Sequence, residues 1–211
     1  AERSRAQNFL HGDLQDLAVP ESLHALIGAR LDLLDPVTRD LIGDAAVLGR
    51  TFTLEALAAL NEREPAALRE RLAELTRREL LQVHRDPESP ERGQYGFVQS
   101  IIREVAYGRL NHAERRERHL RAARYFEALG GDESAGIVAG HYLGAGAAAE
   151  GPEAADLARR AAAALRAAAE RSFALHSHEQ ALAYCRKALE AAPEDENTPV
   201  FLELAAESAA A

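Results

Sequence analysis

His176 and His178, separated by one residue, form the only local pattern in the sequence that suggests a metal site. Imidazole nitrogens are common zinc ligands, but a zinc site needs at least three protein side chains. Glu179 is the one further potential ligand beside the pair. We therefore interpret both histidines as residues at the start of a helix, and we predict no metal site.

Nucleotide chemistry would require a phosphate-binding loop, in which backbone amides hold the phosphates and a lysine reaches the terminal ones. Lys187 is the only lysine of the chain, and it lies in a predicted helix with no glycine-rich loop before it. Nucleotide cyclisation needs paired metal-binding aspartates on a mixed sheet, which the sequence does not predict. Ser100 is interpreted as the cap of the helix that follows it. We therefore expect no catalytic residue and no cofactor in this chain.

Three arginines suggest DNA binding as an alternative function. Arg69, Arg77 and Arg78 lie on or beside a predicted helix that precedes a predicted β-hairpin, which is where a winged-helix protein places its DNA-reading helix. Acidic residues interleave with them and nearly cancel their charge. These are Glu64, Glu70, Glu74 and Glu79 on the helix, and Asp86, Glu88 and Glu91 in the hairpin turn. The formal net charge of −9 also argues against a general nucleic-acid binder.

A second arginine-rich helix is predicted to follow Asn111, and it carries His112 and His119 two turns apart. Its arginines are Arg115, Arg116, Arg118 and Arg121. Arginine is mostly exposed in folded proteins, so this density of guanidinium groups is typical of a solvated helix face. We therefore predict that both histidines are exposed.

Length and composition indicate a helical protein with a core of small aliphatic residues. The chain has 211 residues, of which 47% are hydrophobic, 28% charged and only 5% aromatic. Alanine dominates the second half of the sequence. A core of alanine and leucine suits closely packed helices better than sheets, because alanine is the best helix former and a poor strand former.

Cysteine content and hydropathy favour a cytoplasmic protein without membrane contact. Cys185 is the only cysteine, which excludes an intrachain disulfide. No apolar run approaches the roughly 20 residues of a membrane-spanning helix, and residues 1–16 lack the apolar stretch of a signal peptide. Because the sequence contains no methionine, we expect it to be an internal fragment of a longer protein.

Residues 19–110 have the pattern of several helices followed by a β-hairpin. Apolar residues recur at helical spacing through the first part, with Asp35 as a cap and Pro36 in the first turn of one helix. Residues 81–84 then alternate between apolar and polar, and residues 95–98 form the predicted returning strand. This order predicts a winged-helix domain.

Residues 111–211 predict helices joined by short loops, beginning with a capping box formed by Asn111 and Glu114. Tetratricopeptide repeats are helix pairs of about 34 residues with small residues at the helix contact and a proline near the end. The positions that fit this pattern are Ala181, Ala188 and Pro193, with Cys185 at an aromatic position and Leu165 and Ala168 in the preceding helix. The predicted fold is mainly α: a lead-in at residues 1–18, a winged-helix domain with a small β-hairpin, and a tetratricopeptide-like helical repeat region.

Several segments resemble the region after the ATPase core of large bacterial signalling ATPases of the STAND type, which are found in class III adenylate/guanylate cyclase proteins and in some transcriptional regulators. The resemblance covers nearly all of the chain beyond Ala18. The segments are VPESL at residues 19–23, ARLD at 29–32, AVLGRTF at 46–52, SPERGQYGFVQ at 89–99, REVAY at 103–107, HL at 119–120 and HYL at 141–143. The segment at residues 89–99 is the most specific one and is similar to the cyclase-linked branch.

The resemblance implies a longer protein with a cyclase domain, an ATPase domain that binds ATP and Mg²⁺, a winged helix and a helical-repeat tail. This chain would supply the last two. Its partners would be its own upstream ATPase domain and an unknown protein or peptide at the helical repeats. Many such ATPases carry histidine where this chain has Gln99, so a phosphate-sensing role of that histidine does not transfer.

The segments with this resemblance also contain the candidate regulatory interface with the upstream domain. Its residues are Tyr95, Gln99, Arg103, Glu104 and Tyr107. A plainer interpretation is that the aromatic residues Tyr95, Phe97 and Tyr107 belong to the core. Three functions remain as hypotheses: a regulatory module coupled to nucleotide state, a DNA-binding winged helix, and a scaffold whose repeats bind peptides.

Overall fold

The computed structural model describes residues 21–61, 63–86, 89, 91–131, 133–193 and 197–210. The predicted lead-in at residues 1–18 lies outside these residues, as do Glu88 and Pro90 of the hairpin turn. The helices are α1 (Glu21–Asp32), α2 (Pro36–Leu48), α3 (Leu54–Asn61), α4 (Pro65–Arg77), α5 (Ser100–Gly108), α6 (His112–Leu129), α7 (Ala135–Gly146), α8 (Gly151–Ala174), α9 (His178–Ala191) and α10 (Thr198–Ala210). The strands are β1 (Thr51–Phe52), β2 (Leu81–Val83) and β3 (Tyr95–Phe97).

The fold within the described ranges is mainly helical, with one small antiparallel sheet, as the composition predicts. The strand order is β1-β3-β2, so β3 lies in the centre. Gly96 of β3 faces Thr51 on one side and Gln82 on the other. The strand β1 is not predicted from the sequence, because two residues are too short to show a period.

The N-terminal unit, which comprises α1–α5 and β1–β3, surrounds a core of leucine, isoleucine and phenylalanine. Fully buried members come from several helices and a strand: Leu31, Leu41, Leu57, Leu72, Leu81 and Ile102. Asp35 caps α2 as predicted, since its Oδ1 accepts hydrogen bonds from the amides of Val37 and Thr38. The helices that the apolar spacing predicts in this part are present.

Two local predictions about the end of this unit are wrong. Gln99, and not Ser100, occupies the N-cap position of α5, and Ser100 is the first helical residue. Val98 lies outside β3 and is exposed. Both differences shift an element boundary by one residue, which apolar periodicity does not define.

The helical region, which comprises α6–α10, consists of helices that each pack on the next one along the chain. Asn111 and Glu114 form the predicted capping box at the start of α6, and Gly130 ends this helix with a positive φ of 69°. Small residues lie at the contacts of α7, α8 and α9. Ala139, Ala162, Ala169, Cys185 and Ala188 are all fully buried there, together with Phe201 of α10.

The two regions share a contact surface and a short connection. Only residues 109–111 separate α5 from α6. The helices α2 and α3 pack against α6, and a small apolar cluster of Val47, Leu60, Leu110 and Ala122 fills this contact. No helix of the described residues is long and apolar enough to cross a membrane.

Candidate functional site at the junction of the two regions

The residues of the predicted regulatory interface divide into exposed and internally bonded ones. Gln99 and Glu104 are exposed on and beside α5. Tyr95 is half-buried and its ring stacks on Phe52, with 6.0 Å between the ring centroids. Arg103 donates a hydrogen bond of 3.0 Å from Nε to the carbonyl oxygen of Ala46 on α2. The structure therefore bonds the half-buried Arg103 to α2 and leaves Gln99 and Glu104 available to a partner.

Tyr107 joins α5 to α6 through several contacts of one side chain. Two guanidinium groups lie over its ring, with the Cζ of Arg115 at 4.8 Å and that of Arg103 at 5.9 Å from the centroid. Its hydroxyl forms a hydrogen bond of 3.0 Å with Nε2 of His119. The two rings also meet edge to face. Arginine over an aromatic face contributes favourably when the pair is partly desolvated, so Tyr107 connects the two regions.

His119 is buried, in contrast to the solvated face predicted for it. Only 7% of His119 and 5% of His141 are exposed. The Nδ1 atoms of the two imidazoles lie 3.0 Å apart, which is hydrogen-bonding distance. His112, two turns earlier on α6, is exposed as predicted. The prediction failed for His119 because its partner lies on α7, and no local pattern in the arginine-rich segment indicates that contact.

The histidine pair (His119 and His141) is packed between aromatic and backbone surfaces. The ring of Phe126 stacks on His141 at 5.6 Å. Gly144 of α7 lies directly against the other ring, since a Cβ added there would be 2.5 Å from Cε1 of His119. Such a contact is too close for any real Cβ, so α7 approaches His119 through its bare backbone.

Burial and neighbouring charge keep both imidazoles neutral. Burial, together with the nearby cations Arg103 and Arg115, lowers the pKa of His119 to about 4. Burial also lowers the pKa of His141 to about 4, with a contribution from His119. Two neutral, hydrogen-bonded imidazoles hold the two helices in position. They carry no positive charge that would attract an anionic ligand.

A buried ion pair holds α6 to α2 next to this cluster. Nε of Arg118 donates to Oδ1 of Asp44 at 2.6 Å, and Nδ2 of Asn61 donates to Oδ2 at 2.7 Å. Arg118 and Asp44 have side chains that are 13% and 7% exposed. Burial raises the pKa of the Asp44 carboxyl, and the guanidinium of Arg118 opposes that rise. Both carboxylate oxygens are thus occupied, as a buried charge requires.

The three arginines of the DNA-binding alternative are exposed on and just after α4. Arg69 and Arg77 have no hydrogen bond or ion pair with any described residue. Arg78 forms an ion pair of 2.8 Å with Glu74. Within the described ranges, this face therefore presents two arginines without an ion-pair partner among carboxylates.

His176 and His178 do not form a metal centre with other described residues. Their ring centroids lie 5.9 Å apart, and no group of three or more potential ligands occurs in the part of the chain that the structure describes. His178 begins α9, as the sequence predicts for a residue at a helix start.

No family model matches the chain, and neither a curated protein nor a solved structure is significantly similar to it. The geometry alone therefore indicates what the chain can do. Its best-defined polar cluster joins two parts of the same polypeptide, and the exposed residues of the predicted interface, Gln99 and Glu104, lie next to Arg103 and Tyr107 in the sequence of α5 and its cap.

Proposed function

We propose that the chain is a non-catalytic regulatory and protein-interaction module of a multidomain signalling ATPase, of the cyclase-linked class that residues 89–99 resemble. In this proposal it couples the nucleotide state of an upstream ATPase domain to a partner bound by the helical region. The observation that carries it is the junction: Gln99 and Glu104 are exposed at the start of α5 and on it, next to Arg103 and Tyr107, whose contacts reach α2 and α6.

The element order supports a winged helix in the N-terminal unit. The sequence of elements is α2, β1, α3, α4, β2, β3, and the strand order is β1-β3-β2. A short third strand beside a β-hairpin, with α4 directly before that hairpin, is the arrangement expected of this domain type. The loop between β2 and β3 would be its wing.

Antiparallel packing of successive helices supports a tetratricopeptide-like helical region. The pair α8 and α9 is joined by residues 175–177 only. Ala181, Cys185 and Ala188 of α9 are fully buried at the contact, where such a repeat needs small side chains so that two helix backbones can approach closely.

The coupling mechanism follows from the exposed and the bonded side chains that α5 brings together. An upstream domain that contacts Gln99 and Glu104 differently with ATP and Mg²⁺ than with ADP would shift the position of α5. Arg103 and Tyr107 then transmit that shift to α2 and α6, because they are bonded to both. A ligand shifts such an equilibrium only by its differential affinity for the two states.

A binding experiment with the upstream ATPase domain tests this function. Its affinity for the chain should differ at least about tenfold between ATP and ADP, equivalent to about 1.4 kcal/mol of coupling. Glu104→Arg should abolish the difference, whereas Glu179→Arg, an exposed change on α9, should preserve it. Equal affinities with ATP, ADP and no nucleotide would refute the proposal.

DNA binding is a second candidate because Arg69 and Arg77 are exposed without ion-pair partners among the described residues. Gel retardation with labelled duplex DNA at low salt tests it, with the charge-reversed variant Arg69→Glu/Arg77→Glu as control. Retardation that this variant abolishes would favour DNA binding. Absence of retardation at micromolar protein concentration would exclude DNA binding.

Peptide binding without nucleotide coupling is a third candidate, supported by a groove of about 370 Å³ between α6, α7 and α8. Residues that line it include Glu127, Ser134, Val138, Arg160 and Ala163. Peptides selected on the full chain from a random library should lose binding when Ala163→Arg fills this groove. Selected peptides that bind equally well to the variant would exclude the groove as their site.

A further inference from the structure

The distance between the two Nδ1 atoms of the histidine pair limits how many protons the pair can hold while its hydrogen bond remains intact. At 3.0 Å, one hydrogen lies between the atoms: one imidazole donates it and the other accepts it. Tyr107 completes the chain at the other nitrogen of His119, where its hydroxyl either donates to Nε2 or accepts from it. Both assignments are self-consistent for two neutral imidazoles.

A first added proton leaves the bond between the imidazoles intact. The charged imidazole donates from its Nδ1, and the neutral one accepts there and carries its own hydrogen on Nε2. A second added proton places a hydrogen on both Nδ1 atoms. The bond is then lost, and two positive charges face each other across the same 3.0 Å.

The surroundings of the pair offer no compensation for such charge. Cations face His119 from α5 and from α6, namely Arg103 and Arg115. No carboxylate forms an ion pair with either imidazole within the ranges that the structure describes. Among the carboxylates of the adjoining helices, Glu104 of α5 is exposed to solvent, and three others have partners of their own: Asp44 of α2 binds Arg118 and Asn61, Glu127 of α6 accepts from Tyr142, and Asp156 of α8 binds Arg159 and Arg160.

The packing also prevents the rings from separating within the folded junction. Gly144 closes one side of His119 and Phe126 closes one face of His141. Relief of a doubly charged pair therefore requires α7 to move away from α6, which exposes both rings to water.

We propose that the histidine pair is a proton-operated latch between α6 and α7, closed with at most one added proton and opened by the second. The latch deepens the proposed function, because it regulates the junction on which that function rests. The observations behind it concern the histidine pair alone, so the latch does not depend on which domain lies upstream. Opening the latch frees Tyr107 from His119 and so weakens the connection between the N-terminal unit and the helical region.

The sign of the pH dependence follows from the direction of both shifts. The pKa of each imidazole is lowered to about 4 in the folded protein from 6.5. The contribution to stability is therefore complete above about pH 6.5, declines as the pH falls, and is fully lost near pH 4. For each proton taken up on unfolding, the unfolding equilibrium constant rises about tenfold when the pH is lowered by one unit. With two imidazoles, the constant rises by up to about 100-fold per pH unit of acidification in this window.

Denaturant unfolding of the full chain at several pH values between 6 and 4.5 tests the latch. Each variant is compared with itself at pH 7, so that a variant of lower stability remains informative. His141→Phe keeps an aromatic ring against Phe126 but removes one titrating group, and its unfolding constant should rise less steeply on acidification, by about tenfold per pH unit. His112→Asn, which removes an exposed histidine from α6, should retain the wild-type slope. Equal slopes for His141→Phe and the wild type would overturn the proposal.

A second measurement needs no substitution and locates the opening. In ¹⁵N-histidine-labelled wild-type chain at pH 7, a scalar coupling across the Nδ1–H···Nδ1 bond should be present, and both imidazoles should titrate well below the ordinary pKa of 6.5. Hydrogen exchange at pH 4.5, corrected for the intrinsic rate, should increase in α6 and α7 before it increases in α9. Absence of the coupling together with titration near 6.5 would refute the latch, and this result would leave the nucleotide test of the proposed function untouched.

Discussion

Tyr107 and His119 show how much of the junction depends on single side chains. The guanidinium groups of Arg103 and Arg115 lie over the tyrosine ring, and its hydroxyl reaches the buried histidine on α6. Close approach of α7 then depends on Gly144, where the ring of His119 occupies the space that a Cβ would need. A methyl group at this position therefore cannot be accommodated without moving a helix.

Gly144→Ala should destabilise the protein by about 1–3 kcal/mol, the usual effect of overpacking. Gly140 lies one turn earlier on α7, and a Cβ there would meet no atom within 4 Å. Gly140→Ala should consequently stabilise the protein by about 0.5–1 kcal/mol, because alanine favours the helix. Urea denaturation of both variants provides the measurement. Equal stability of the two would contradict the close packing of His119 on α7.

Sequence reasoning at the residue scale succeeded where the signal was local and failed where it was not. The caps at Asp35 and at Asn111 with Glu114 depend on atoms within three residues of each other, and both are present. The contact of His119 with His141 spans 22 positions. Arginines on both sides of His119 predicted an exposed face, because nothing in that segment reveals which side of α6 is covered by α7.

The attachment of α6 to the N-terminal unit is the main feature at the scale of elements. Arg118 reaches Asp44 on α2, and Arg121 donates to the carbonyl oxygen of Leu60 on α3. An ion pair this deeply buried contributes little net stability while intact, but removal of one partner leaves an unpaired charge.

Arg118→Met should lower the free energy of unfolding by about 3–5 kcal/mol, since Asp44 then remains buried without its cation. The double variant Asp44→Leu/Arg118→Met should recover most of this loss. Arg116→Ala is the control: it breaks an ion pair with Glu153 whose side chains are 38% and 48% exposed, and such a surface pair contributes about 0–1 kcal/mol. Denaturant titrations that gave Arg118→Met and Arg116→Ala the same stability would show that the Asp44 contact is not buried in solution.

Elements were predicted well when they were long and periodic. The leucines at positions 68, 72 and 75 gave α4 its correct buried side. The strand β1 has two residues, and only its pairing with β3 identifies it. Tertiary pairing decides such short elements, so a single sequence cannot reveal them.

At the scale of the whole molecule, the two regions share a surface that should make them unfold together. The short connection at residues 109–111, the cluster around Leu110 and the Arg118–Asp44 pair all join them. We therefore expect a single calorimetric transition for the intact chain, with equal calorimetric and van't Hoff enthalpies. In Arg118→Met the transition should broaden or divide into two. Two separate transitions in the wild type would contradict cooperative coupling across the junction.

The single thiol of Cys185 can serve as a kinetic probe of how often the helices α8–α10 open. It is fully buried between α8, α9 and α10, and burial raises its pKa, so the intact protein should resist a thiol reagent. The rate at which the reagent modifies Cys185 then measures how often the C-terminal helices open without unfolding of the rest. A rate equal to that of global unfolding would mean that the last three helices never part from the rest, whereas a faster one would reveal a breathing motion at the end of the chain remote from α5.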